Sequence, residues 1–257
     1  MSGQIGDITA TCRLRFILCK ERCMNDDLDD VMNRSVGHIH EMKGREFDPY
    51  ELNGGTVVAI AGKDYVVIGA DTRLTQGYEI LSRNVCRLHE LTSKCILGMG
   101  GCWTDMETVR RIMEMDIKEY KYVHREELSS SGVASLLGTT LFNRRFFPYY
   151  AFNILGCLDE EGRGVVYSYD AVGSYECLKY GVQGSAQSHI IPILDSCVAK
   201  RNRTVPYVDL EKEEALNLLK EVFTAATERE KDTGDAVDIR ILTKDGVEKQ
   251  TLLLRSD

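Results

Sequence analysis

The chain lacks any apolar run near the length of about eighteen residues that a membrane-spanning helix needs, so no transmembrane segment is expected. It also lacks a Cys-x-x-Cys motif. The closest cysteines, Cys19 and Cys23, have no histidine at ligand spacing beside them, which argues against a zinc site. The nine cysteines are scattered and odd in number, as suits free thiols in a reducing compartment and not a disulfide framework. No secretory signal is expected, because Phe16-Ile17-Leu18-Cys19 is too short a run between Arg15 and Lys20. Basic residues are not in excess. A net charge of -8 disfavours nucleic acid as a partner, since phosphate neutralisation needs a basic face. Internal repeats and low-complexity tracts are absent as well.

What is present, 43% hydrophobic and 28% charged residues, suits a soluble globular protein. Residues 1–46 lack sustained periodicity and carry the acidic knot Asp26-Asp27-Leu28-Asp29-Asp30, so they read as a leader or mobile arm, trimmed or loose. Residues 47–257 read as a single domain. Its centre is Gly54-Gly55-Thr56-Val57-Val58-Ala59-Ile60-Ala61-Gly62, a Lys63-Asp64 turn, and Tyr65-Val66-Val67-Ile68-Gly69-Ala70-Asp71-Thr72-Arg73. Two β-branched runs about a tight turn predict a hairpin buried on both faces.

Downstream, Tyr78 to Leu91 reads as short extended pieces, and Lys94 to Met99 as a strand running into Gly100-Gly101. Thr104 and Glu107 have capping-box spacing, followed by the helical stripe Met106, Val109, Met113, Ile117 and Tyr120. A second helix is expected over Val133–Phe142, and strands over Ala151–Leu158, Val165–Tyr169 and Leu178–Val182. Ser185 to Val198 reads as a helix kinked at Pro192. Asp209 is the expected cap of a stronger helix, with buried face Ala215, Leu218, Leu219, Val222, Phe223 and Ala226. Strands from Val237 to Leu242 and Glu248 to Leu254 close the chain about a Lys244-Asp245-Gly246 turn. Because helices come in pairs between groups of strands, the fold class is α+β: two stacked antiparallel sheets, each covered by a helix pair.

Several constellations carry no chemistry. His38 and His40 have strand-ligand spacing but sit in the acidic leader. His89, His124 and His189 fall on separate elements without a nucleophile elbow. Gly98-Met99-Gly100-Gly101 lacks the lysine of a phosphate loop. No metal and no cofactor are expected.

The hairpin, with Gly-Ala-Asp-Thr-Arg closing its second strand, resembles the opening of proteasome-type β subunits in the N-terminal-nucleophile hydrolase superfamily. Three further stretches carry the same resemblance: Phe47-Asp48-Pro49-Tyr50 ahead of Asn53-Gly54-Gly55-Thr56, Arg144-Arg145-Phe146-Phe147-Pro148-Tyr149-Tyr150, and Leu158-Asp159-Glu160-Glu161-Gly162 running on to Gly173-Ser174-Tyr175-Glu176. The resemblance covers about residues 46–257 and implies a four-layer αββα sandwich. In active members an N-terminal threonine supplies the hydroxyl nucleophile, its own amine takes the proton, and a lysine assists electrostatically. Matching on the Gly-Ala-Asp-Thr-Arg anchor puts Gly55 at the nucleophile position, keeps the aspartate as Asp71 and puts Arg87 at the lysine position. No lysine lies between Lys63 and Lys94. Gly101 matches the oxyanion-hole glycine and Ser185 the serine near the terminus, while the supporting acid and hydroxyl become Glu230 and Thr233.

A degenerate site is therefore expected, with Asp71 and Arg87 surviving as a buried pair that holds the fold. Thr56, after cleavage behind Gly55, is the alternative nucleophile, but strand alternation points its hydroxyl away from Asp71, Arg87 and Gly101. A stand-alone amidohydrolase of the superfamily is the third reading. What the resemblance implies is a non-catalytic structural subunit of the 20S core particle, in cytoplasm and nucleus. Its partners would be β subunits of its own and the opposite ring, an α-ring subunit, and unfolded polypeptide in the chamber, with no nucleic acid and no membrane. Asp159 is read either as a wall of a neighbouring subunit's substrate pocket or as an ordinary turn aspartate.

Overall fold

A computed structural model describes residues 50–200 and 209–255. The leader reading, His38, His40, Cys19 and Cys23 lie outside the described residues.

The hairpin forms as expected: β1 (Thr56–Ala61) and β2 (Tyr65–Asp71) are antiparallel and every residue in both is buried. β3 (Leu74–Gln76) and β4 (Glu79–Ser82) make a small separate hairpin. β5 (Leu88–Thr92), β6 (Cys95–Gly101), β7 (Ala151–Leu158), β8 (Gly164–Tyr169) and β9 (Tyr175–Leu178) form one five-stranded antiparallel sheet in that order. The other joins β10 (Tyr180–Gly184), β1, β2, β11 (Ala236–Thr243) and β12 (Gly246–Leu253). The helices α1 (Trp103–His124) and α2 (Ser130–Phe142) pack on the β5–β9 sheet. α3 (Gln187–Leu194), continued by a π-helical turn over Asp195–Ala199, and α4 (Lys212–Thr227) pack on the hairpin sheet.

Alternation along β1 explains the layering. Val57 and Ala59 join Ile68, Leu88, Ile96 and Ile154 between the sheets, while Val58 and Ile60 face α3 and α4 with Leu219 and Phe223. A third cluster, including Leu97, Met99, Met106, Val109 and Leu137, lies beneath α1 and α2. The result is the four-layer αββα sandwich. Among the described residues no helix is long and apolar enough to cross a membrane.

Four expectations of detail are corrected. The Thr104–Glu107 capping box does not form: the N-cap is Cys102, without a side-chain cap. The β6 ladder runs to Gly101 opposite Ala151, Cys102 N–H donates to Tyr150 O, and the chain turns helical at Trp103, which leaves Thr104 inside the first turn. Asn53 serves instead, accepting from Trp103 N–H at 2.9 Å. Asp209 does not cap α4 but accepts from Lys179; the cap is Glu211, in a capping box with Glu214. α2 begins at Ser130, three residues before Val133, because Ser129 accepts from Gly132 N–H. The segment read as one strand over Leu178–Val182 is two. β9 pairs with β8 and β10 with β1, so the chain passes from one sheet to the other at Lys179. Pro192 lies inside α3, and the π-helical turn begins three residues later, where the regular ladder gives way.

Candidate functional site

The site lies where the hairpin meets the ends of β6 and β10. The chain enters through Tyr50, whose ring packs against Phe147 and Tyr150 and whose hydroxyl donates to Pro148 O. Asn53 is buried and ties three segments together: besides capping α1, its Nδ2 donates to Thr75 O at 3.1 Å and its N–H to Gly101 O at 3.2 Å. Asn53 was missed as a functional residue. The signals were a polar residue directly before a Gly-Gly pair and its place in a stretch that carries the family resemblance. Replacing Asn53 with Ala is expected to weaken the helix start and leave a buried carbonyl unpaired, costing about 1–3 kcal/mol. Faster hydrogen exchange at the α1 N-terminus and β3 in the assembled protein would register it; unchanged exchange there would refute it.

Gly55 adopts φ +93°, and a Cβ built there would lie 2.4 Å from Arg87 Cζ. The guanidinium occupies the space a side chain would need. Arg87 is buried, donates to Arg73 O at 2.6 Å and Asn53 O at 3.2 Å, and has its Nε 3.4 Å from Asp71 Oδ1. Both ionic side chains are fully buried, yet Asp71 Oδ2 and Arg87 Nε make no hydrogen bond. The pair is one of charge without a closed fork. Burial therefore dominates: Asp71 is pushed up to about 6, with Arg87 and the N–H groups of Thr56 and Gly234 opposing the rise. Burial likewise lowers Arg87, against the attraction of Asp71, and arginine remains charged.

Thr56 faces the other way. Its N–H donates to Asp71 Oδ1 at 2.8 Å, while its fully buried Oγ1 lies 2.7 Å from Thr233 Oγ1 and 3.3 Å from Ser185 Oγ and accepts from Ala186 N–H. So the structure gathers Asp71 and Arg87 at Gly55, but Ser185 and Thr233 around the Thr56 hydroxyl. The half-buried Glu230 joins neither group; its carboxylate accepts from Asp232 N–H at 3.3 Å. Gly101 (φ +116°) donates its N–H to Gly54 O at 3.3 Å, so this amide is engaged by the chain's own backbone. A cavity of about 220 Å³ borders these groups, lined in part by Gly54, Gly101, Ser185 and Asp232.

Arg83 and Asp235 were not singled out either. Asp235 (φ +62°) is buried between Arg73, 3.0 Å from its carboxylate, and Arg83, which also bonds it. The two guanidiniums hold its carboxyl below the usual range despite burial. This cluster fixes the 231–235 turn that brings Thr233 to Thr56. Sequence could not reveal it, because the partners are over 150 positions apart.

Asp159 lies elsewhere, in the β7–β8 turn. Its carboxylate accepts from Arg163 N–H at 2.8 Å and Arg163 Nε at 2.9 Å, closing its own turn, and these contacts hold it below the usual carboxylate range. It also lines a cavity of about 230 Å³ with Ser130, Glu161 and Tyr167. Among the described residues no group of three or more His, Cys, Asp or Glu side chains is placed to hold a metal ion.

A buried hairpin, helix pairs on both sheets and a strand start meeting an aspartate at this point define one class. The chain belongs to the proteasome subunit family, whose match covers residues 51–242. Within it, the chain is 44% identical over 213 residues to zebrafish (Danio rerio) proteasome subunit beta type-1, covering 82% of this chain and 90% of the relative. It is 44% identical over 219 residues to the Arabidopsis thaliana protein of the same name, covering 82% and 97%. It is 37% identical over 225 residues to the probable proteasome subunit beta type-6 of Schizosaccharomyces pombe, covering 84% and 100%.

Proposed function

We propose that this chain is a non-catalytic structural β subunit of the 20S proteasome core particle. It would complete a β ring, close the degradation chamber around unfolded polypeptide, and touch β subunits of both rings and an α-ring subunit. One observation carries the reading: the position matched to the nucleophile is a glycine, and Arg87 fills the space its side chain would take. Two more support it. The Gly101 amide is engaged by Gly54 O, and the Thr56 hydroxyl is bound in a buried cluster away from Arg87. Asp159, on an exposed turn beside a cavity, would wall the substrate pocket of a neighbouring active subunit. Since Gly55 offers no side-chain nucleophile for self-cleavage, neighbouring subunits would trim the leader, or it would be retained. Cytoplasm and nucleus follow as the compartments.

An electrophilic peptide probe applied to the purified particle tests this. Active neighbours are expected to be labelled and this chain not, with its amino terminus upstream of Gly55. A chain starting at Thr56 and carrying the probe would overturn the reading.

A further inference from the structure

A pair of thiols outside the site shows an unassigned arrangement. Cys95 on β6 lies directly opposite Cys157 on β7. Leu158 N–H donates to Lys94 O and Cys102 N–H to Tyr150 O, which marks 94/158 and 102/150 as hydrogen-bonded pairs of this ladder. Alternation makes 95/157 a non-hydrogen-bonded pair, whose Cα atoms approach to about 4.5 Å with side chains on one face. That separation lies within the range of about 4.4–6.8 Å that a disulfide spans. Both side chains turn into the layer beneath α1 and α2.

The two thiols differ. Cys95 donates to Ser130 Oγ at 3.5 Å, at the N-terminus of α2. A contact with Cys157, and then Ser130, lowers the Cys95 thiol, whereas burial pushes Cys157 well up. Two thiols held face to face, one of them in contact with a hydroxyl at a helix start, suit a dithiol that reacts at one sulfur and resolves at the other. Full burial normally makes a thiol inert. Here Ser130, whose Oγ is in contact with Cys95, also lines the 230 Å³ cavity beside Asp159, so the thiol touches a residue of the cavity wall.

We propose that Cys95 and Cys157 are an oxidisable dithiol that hydrogen peroxide closes to a disulfide across β6 and β7. The Cys95 thiolate attacks one peroxide oxygen, the O–O bond breaks, and with one proton taken up the products are a sulfenic acid and water. The Cys157 sulfur then displaces the sulfenic hydroxyl, which leaves as water with the Cys157 proton. Both sulfurs are oxidised by one equivalent each, and peroxide is reduced to two waters. Closure withdraws the S–H donor from Ser130, so the change reaches the cavity wall.

The assembled particle would be treated with graded hydrogen peroxide, then alkylated under denaturing conditions and mapped without reduction. A Cys95–Cys157 linked peptide pair is expected, lighter than the two thiol peptides by two hydrogens and lost on treatment with a dithiol reductant. The exposed Cys86 and Cys177 gauge the dose. Recovery of Cys95 and Cys157 as alkylated thiols at a dose that oxidises Cys86 and Cys177 would overturn the proposal. So would linkage of either to another cysteine. In the Cys157→Ala variant, Cys95 is expected to be trapped as sulfenic acid by a cyclic diketone probe, and an unlabelled Cys95 would refute its role as the attacked sulfur. Should that variant fail to assemble, the wild-type mapping still decides.

Discussion

Replacing Gly55 with threonine is expected to give no peptidase and to exclude most of the variant from the assembled particle. The substitution restores the missing hydroxyl, but the site has closed around its absence. At φ +93° a β-branched residue is strained by about 1–3 kcal/mol. Its Cβ would also meet Arg87 Cζ at 2.4 Å, so the buried guanidinium would have to give way. Overpacking of this kind costs about 1–3 kcal/mol more. Co-expression of differently tagged wild-type and Gly55→Thr chains, with the ratio in purified particles as readout, measures the loss. Adding Arg87→Lys should recover part of it, because the planar group leaves and the two sites are in contact. Equal incorporation of Gly55→Thr and wild type would refute the idea that Arg87 occupies this space.

Arg87→Ala should be at least as damaging, and in a pH-dependent way. The change takes the guanidinium donor from the Arg73 carbonyl and one of two donors from the Asn53 carbonyl, opens a cavity, and strands the Asp71 carboxylate in the interior. Removing one partner of a buried ion pair costs about 3–5 kcal/mol. Asp71 is already pushed from 3.8 to about 6, so its proton is held more tightly folded than unfolded. A group raised in this way contributes stability that is full below pH 3.8 and is lost as pH rises through about 6. Without Arg87, the largest of the effects opposing that rise is gone, so the window extends upward. The variant's deficit should therefore be larger at pH 7.5 than at pH 5.5. Hydrogen exchange of β1 and β2 amides in the particle at the two values would show it, and a deficit independent of pH would argue that Asp71 is not the stranded charge.

The layered architecture was legible because it rests on local patterns. The β-branched runs of β1 and β2, the three- and four-residue stripe of α1 and the pairing of helices between groups of strands all depend on neighbours in the chain. Errors fell where distant contacts set local structure. Thr104 has good capping chemistry, but the helix already begins at Trp103, so Thr104 lies inside its first turn, and Asn53 reaches the helix start from outside. The run at Leu178–Val182 looks continuous because no turn residue marks the change of sheet. At the site, the matched positions named Asp71, Arg87, Ser185 and Thr233, yet could not divide them between the two faces of a strand. Nor could they reveal that Arg73, Arg83 and Asp235 brace the turn carrying Thr233.

The hand-over at Lys179 has a mechanical meaning. Ala61 N–H donates to Lys179 O at 2.7 Å, so the end of the first strand is fastened to the single residue at which the backbone leaves one sheet for the other. The bond continues the β1–β10 ladder up to the crossing, so sliding one sheet over its companion would have to drag β9 and β10, joined through that one residue, in opposite senses. Load placed on one face of the subunit should thus reach the opposite face as the displacement of a stiff block, with little internal shear.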